Sequence, residues 1–147
     1  MKRLETLAII AHDMGIIFEY LGVITLLPLI VLLIFGERDM LVPMVSVPLI
    51  FVILGLLISR IPTREYIPQL SVALAAAALI WVAIAFVGSI PFVLGLQMSW
   101  TDSIFEAMSG WTDTGYTMIR TVDSTPKTLL FWRSFMQWMG GMGVIAF

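Results

Sequence analysis

Two uncharged runs, residues 20–36 and 40–59, separated only by Glu37-Arg38-Asp39, constrain this chain more than any other feature. A helix needs roughly 20 predominantly apolar residues to cross the hydrocarbon core of a bilayer. The first run, extended back to Gly15, meets that length, and so does the second. Pro28, Pro43 and Pro48 do not veto these helices. Pro43 sits near a helix start, where a missing N–H costs nothing, and neighbouring helices can satisfy the carbonyls freed by the others. Composition points the same way: 60% of the 147 residues are hydrophobic and 12% charged, against about 25% charged in a soluble domain. So little charge cannot cover a water-soluble protein of this size, which excludes an ordinary cytosolic enzyme or a secreted domain. At about 20 residues per crossing, the length holds a handful of spans and not a complete large transporter.

The remaining bulk features exclude chemistry. A net charge of −2 without a Lys/Arg cluster leaves no footprint for nucleic acid. The absence of cysteine removes disulfides, thiolate zinc sites and cysteine nucleophiles. His12 is the sole histidine, so histidine-built metal sites and conventional triads are excluded too. No enzyme activity and no cofactor are expected. A signal peptide is not expected either, because the apolar stretch 7–11 after Lys2-Arg3 is short and His12-Asp13 interrupts it.

Arg60-Ile61-Pro62-Thr63-Arg64-Glu65 and Pro68 end the first unit, a leading transmembrane helix pair over residues 1–65. The next uncharged run, 66–101, is too long for one span and too short for two. Its part 70–87 is helix-friendly, with small residues at 75–78, and Gly88, Pro91 and Gly95 predict an irregular segment before Ser99. Ser99 is placed to cap a short helix, with Asp102 three residues on, and Gly110 is placed to end it. About ten residues give roughly 15 Å, half the hydrocarbon thickness. A polar segment, 109–117, follows. The chain becomes apolar again over 129–147 and stops with no polar flank, as a span cut partway. Residues 66–147 therefore read as one span–pore-loop–span unit with its final span truncated. The expected fold is an all-α membrane protein of about four transmembrane helices plus one re-entrant pore helix and filter loop.

That order is how a cation pore is built. The C-terminal end of a half-length helix carries a partial negative charge that favours a cation. An extended loop can then turn backbone carbonyls inward to replace the ion's hydration shell. Threonine suits such a loop through its extended geometry and its hydroxyl oxygen, and glycine through backbone conformations closed to other residues. From spacing alone, Thr112-Asp113-Thr114-Gly115 reads equally well as an outer loop without ion contact.

The residues themselves go further. Phe105-Glu106-Ala107-Met108-Ser109-Gly110-Trp111-Thr112-Asp113-Thr114-Gly115 closely resembles the first pore loop of the Trk/Ktr/HKT potassium-transporter superfamily, especially its TrkH-like branch. Phe131-Trp132-Arg133-Ser134-Phe135-Met136-Gln137-Trp138-Met139-Gly140-Gly141-Met142-Gly143 resembles the start of its following helix, and Ser89-Ile90-Pro91-Phe92 the segment before its pore helix. The two leading spans match the extra helix pair of TrkH-like proteins. The resemblance covers essentially the whole chain. It implies a plasma- or inner-membrane protein that takes up K⁺, in some members also Na⁺, through four non-identical span–loop–span units in one chain. Many such proteins are homodimers gated by a cytoplasmic nucleotide-binding regulatory ring. By motif position Gly115 matches the filter glycine, and Thr112, Asp113 and Thr114 the strand whose carbonyls face the ion. Asp113 departs from the usual threonine or small residue, and a carboxylate behind the filter would strengthen the cation field and put K⁺-over-Na⁺ selectivity in question.

Glu106 and Arg133 are ionisable groups on segments that enter the membrane, where a lone charge costs at least a few kcal/mol. They are expected to pair and pin the pore helix to the following span. The bland reading has each reaching water separately near the outer face. Glu19 is expected to snorkel or pair locally. Gly140, Gly141 and Gly143 read as a hinge or, more commonly, as a close helix contact. Trp81, Trp132 and Trp138 read as packing and interface anchors. With a cytoplasmic amino terminus, which the resemblance implies, Lys2, Arg3, Arg60 and Arg64 lie inside and Arg38, Arg120, Lys127 and Arg133 outside, so positive charge does not decide orientation. The expected function is monovalent-cation uptake of the Trk type, this chain supplying the first of four filter loops. The alternatives are a short subunit that forms a pore as a homotetramer, and a non-conducting membrane assembly fragment. The partners expected are the bilayer and either the remaining pore units or further copies of the chain.

Overall fold

The computed structural model describes residues 2–63 and 70–146, and among these it is helical with no strand. The boundary expected between residues 65 and 66 lies outside the described residues. The first crossing starts earlier than the uncharged run and is made of two pieces, α1 (Lys2–Ile24) and α2 (Pro28–Phe35). α1 runs straight through His12-Asp13. A helix keeps its backbone bonds internal whatever the side chains, and Asp13 is simply exposed. The break between the pieces has a local cause. Pro28 has no N–H to continue the ladder, and the Thr25 hydroxyl turns back to donate to Leu21 O at 2.7 Å. Gly36, in left-handed conformation at φ +66°, ends α2.

A short 3-10 turn, Arg38–Met40, leads into α3 (Leu41–Ile58), which carries Pro48 within it. α1 and α3 approach through glycine. A Cβ at Gly15 would lie 2.4 Å from the Ser59 backbone nitrogen, and one at Gly55 would lie 2.8 Å from that of Glu19. The backbones therefore touch, as helices do where small residues line a membrane interface. Across this seam the Ser59 hydroxyl donates to Glu19 Oε1 at 2.5 Å, so Glu19 is paired with the far end of α3 and not locally.

α4 (Leu70–Leu96) contradicts the irregular segment expected from Gly88 onward. The helix continues through Gly88, Pro91 and Gly95 because each is used for packing. Gly88 faces the Trp111 indole and Met136 Sδ, Gly95 faces Leu129 and Met40, and Pro91 is buried. At 1.5 Å per residue its 27 residues span about 40 Å. α5 (Trp100–Trp111) is the short helix, begun as expected by Ser99, whose side chain accepts from Asp102 N–H at 3.1 Å. It ends one residue later than expected: Gly110 is buried inside it against Met136, and the left-handed residue is Asp113.

α6 (Lys127–Ala146) completes the chain. Three stretches among the described residues are long and apolar enough to cross a membrane: Thr6–Phe35, Arg38–Ile58 and Leu70–Leu96. α6, the fourth expected span, is not one of them. It carries Arg133 and Gln137, which turn toward α5 and its loop. The core lies where α4, α5 and α6 meet. Phe92, Trp111, Leu129, Trp132 and Met136 are buried there, with Trp111 edge-on to Trp132 and the Trp132 N–H donating to Gly88 O at 3.0 Å. Trp138, by contrast, is exposed. The outer surface is apolar, with Leu33, Val42, Leu57 and Leu70 among its exposed side chains, as suits a hydrocarbon solvent.

Candidate functional site

The loop after α5 turns back on the helix it leaves. Thr112 N–H donates to Met108 O at 2.9 Å, Asp113 N–H to Gly110 O at 3.0 Å, and Thr114 N–H to Ser109 O at 3.0 Å. Gly115 N–H points at the same Ser109 O from 3.5 Å. The loop amides thus satisfy the carbonyls that the end of a helix leaves open. In a trans peptide the N–H of one residue and the C=O of the residue before it point in opposite directions. The carbonyls of Thr112, Asp113 and Thr114 are therefore directed away from α5. Among the described residues no hydrogen bond is donated to any of the four carbonyls from Thr112 to Gly115. Two residues make this turn feasible: Asp113 at φ +55° and Gly115 at φ +86°. Asp113 is of a type that tolerates the left-handed region, whereas Gly115 has no side chain to resist it. The threonine hydroxyls serve the helix end: Thr112 donates to Met108 O and pairs with Thr114 Oγ1, each at 2.7 Å.

Glu106 is the hub behind the loop. It is fully buried on α5, and Arg133 Nε of α6 lies 2.6 Å from its Oε1. The Thr117 hydroxyl lies 3.0 Å from both carboxylate oxygens, and Met118 N–H donates to Oε2. Arg133 reaches further, with Nη1 donating to Gln137 Oε1 at 2.9 Å and Nη2 to Tyr116 O at 3.0 Å. The Ser109 hydroxyl donates to the same Tyr116 carbonyl at 2.6 Å. One carboxylate and one guanidinium thus fix the loop's outgoing strand from Tyr116 to Met118. Sequence reasoning placed Glu106 and Arg133 but missed Ser109, Thr117 and Gln137. Ser109 and Gln137 stood inside the quoted motifs, and Thr117 carried no signal of its own.

The three glycines of α6 have different surroundings. A Cβ on Gly140 would lie 2.0 Å from Trp111 O, so the end of α5 rests directly on α6. One on Gly141 would lie 3.3 Å from Asp113 Oδ2, which puts the Asp113 carboxylate over that glycine. One on Gly143 would meet only the Trp81 ring at 3.6 Å. An open hollow of about 370 Å³ is lined by Asp113, Ser134, Gln137, Trp138, Gly141 and Met142.

The leading pair also reaches this region, through a residue that sequence reasoning used only as punctuation. Glu37 lies in the turn after α2, and its Oε1 accepts from Lys127 N–H at 2.7 Å and its Oε2 from Thr128 N–H at 2.9 Å. These are the first two amides of α6, so Glu37 caps that helix from 90 residues away. Burial is the largest single influence on this carboxyl and pushes its pKa up. The Thr128 side chain, the two backbone N–H groups and the Lys127 charge together outweigh it, and hold the pKa below the ordinary carboxylate value. A depressed folded-state pKa contributes stability that is complete above the unfolded value, about 4.3 for glutamate, and is lost as pH falls through the folded one. Melting temperature measured against pH should therefore drop in the wild type on acidification below about pH 4. Glu37→Gln should be less stable at neutral pH and should lack that component.

A half-length helix whose end is wrapped by a loop with outward carbonyls, set between two longer helices of an apolar bundle, defines an all-helical membrane protein with a short helix–loop element between its long helices. Comparison with known proteins makes this specific. The TrkH family model, described as cation transport protein, matches residues 49–147. An uncharacterized cation transporter of Methanocaldococcus jannaschii is 39% identical over 92% of this chain and 28% of its own length. The Trk system potassium uptake protein TrkI of Halomonas elongata is 32% identical over 90% of this chain and 27% of its own. The crystal structure of the potassium transporter TrkH from Vibrio parahaemolyticus superimposes with a TM-score of 0.81 at 31% identity, over 97% of this chain and 30% of that one. The chain belongs to the TrkH family and is a multi-pass membrane protein. It spans less than a third of the length of these relatives.

Proposed function

We propose that this chain forms the amino-terminal part of a Trk-type potassium uptake protein and supplies one of four filter strands, Thr112-Asp113-Thr114-Gly115. The observation that carries this reading is the run of four consecutive carbonyls, unpaired among the described residues, of which those of Thr112, Asp113 and Thr114 are turned away from the helix that anchors them. Four such strands around an axis would replace the hydration shell of a monovalent cation, the transported ion, with carbonyl oxygen. The Asp113 carboxylate, lying over Gly141, adds negative charge beside that path and weakens discrimination between K⁺ and Na⁺. Residues 1–65 act as a leading helix pair and 66–147 as the first pore unit. The amino terminus is cytoplasmic in the cell membrane, and the complete protein is a homodimer under a cytoplasmic nucleotide-binding ring.

The test is growth at low K⁺ of a potassium-uptake-deficient strain carrying the gene's complete product. Growth is expected, whereas the 147 residues alone should not support it. Growth on the 147 residues alone would instead favour a homotetrameric short subunit. Gly115→Val should abolish or deselect uptake at unchanged membrane abundance, because a branched side chain at φ +86° costs about 1–2 kcal/mol and reshapes the strand. Unchanged flux and selectivity would remove Gly115 from the ion path.

A further inference from the structure

We propose that Glu37 is a positioning residue for the ion path: it sets the axial height of α6, and α6 holds the filter loop. The inference rests on the reading that residues 112–115 line that path. Both carboxylate oxygens of Glu37 are engaged on the first two amides of α6, so the contact fixes the helix end in direction as well as in distance. Six residues further on, about 9 Å along a rigid helix, Arg133 grips Glu106 and the Tyr116 carbonyl. One turn beyond, Gln137 accepts from Arg133, and its Nε2 would lie 3.6 Å from a Cβ at Gly115. A shift of α6 along its axis is therefore passed to the loop by the same side chains that order it. This gives the leading helix pair a task in the pore unit beyond filling membrane.

The charged groups around Glu37 are few. Lys127 faces it from α6, Arg38 and Asp39 follow it on its own turn and are exposed, and neither α2 nor α4 carries a titratable residue. Among the described residues the carboxylate accepts both of its hydrogen bonds from the helix end. It stays ionised, and the tie intact, throughout the neutral range.

The experiment measures radioactive rubidium uptake and its competition by Na⁺ in cells expressing the gene's complete product, with membrane abundance quantified. Glu37→Ala and Glu37→Gln should lower the preference for rubidium over Na⁺ roughly three- to tenfold, the size of a lost helix cap, at comparable abundance. The 147 residues contain no cysteine, so Glu37→Cys combined with Lys127→Cys offers a covalent substitute for the tie. Joining that pair with a short bis-thiol linker should return the preference to that of the wild type. Should Glu37→Ala fail to accumulate, Glu37→Gln, which keeps the size and one acceptor, provides the readout. Wild-type preference in the Glu37 variants, or a joined pair that restores nothing, would overturn the proposal and leave a cap of purely structural value. A wild type that takes up neither ion would instead refute the function on which it rests.

Discussion

Glu106→Arg or Arg133→Glu is expected to abolish cation uptake, and the two together to restore part of it. Glu106 is fully buried and Arg133 nearly so, with an 11% exposed side chain. Either reversal sets two like charges against each other where Arg133 Nε now lies 2.6 Å from Glu106 Oε1, and removes either the Arg133 donor to Tyr116 O or the carboxylate that accepts from Thr117. Leaving one member of a buried pair without its counter-charge costs about 3–5 kcal/mol, enough to unseat the outgoing strand of the loop. Restoration in the double reversal should be incomplete for a stated reason. The Thr117 hydroxyl and Met118 N–H donate to the carboxylate and would then face a guanidinium, which accepts nothing. Uptake normalised to membrane abundance reads the result. A double reversal as inactive as the singles would show that the pair does not act as a unit.

Gly140→Ala is the second large effect. The atom that its Cβ would strike at 2.0 Å is the Trp111 carbonyl oxygen, with the carbonyl carbon at 2.6 Å. Backbone at a helix end cannot rotate aside like a side chain, so α5 and α6 must separate. Overpacking of this kind costs about 1–3 kcal/mol or more, and here the displaced atoms belong to the residue just before Thr112-Asp113-Thr114-Gly115, the strand proposed to line the ion path. Gly141→Ala, tight only against Asp113 Oδ2, should cost less, and Gly143→Ala, with an ordinary contact to Trp81, should be neutral or slightly stabilising. Such an order follows from clearance. A hinge predicts instead that all three substitutions stiffen the helix and slow transport while stability rises, so melting temperature and uptake measured across the series decide between them.

How far the sequence alone led depended on whether a feature was local. The Ser99 cap, the short helix and the loop that follows it were legible because each is written in consecutive residues. α4 was misjudged because Gly88, Pro91 and Gly95 are breakers by intrinsic preference. Their use as contact points for Trp111, Leu129 and Met40 depends on helices that are distant in sequence. The first span was read back only to Gly15, and the Ser59 partner that accommodates Glu19 within the helix lies 40 residues on. Within the site, Glu106 and Arg133 could be paired in advance because buried charges need partners. Glu37 could not be assigned, since nothing near it in sequence indicates that its carboxylate ends a helix 90 residues away.

The central claim is that residues 112–115 line the path of a monovalent cation. Crystals of the gene's complete product grown in a rubidium salt test it most directly, through anomalous scattering at the rubidium edge. The account predicts an on-axis peak within coordination distance of the Thr112–Gly115 carbonyl oxygens, weakened or displaced in Gly115→Val. Rubidium bound elsewhere in the molecule, with this strand empty at saturating concentration, would contradict it.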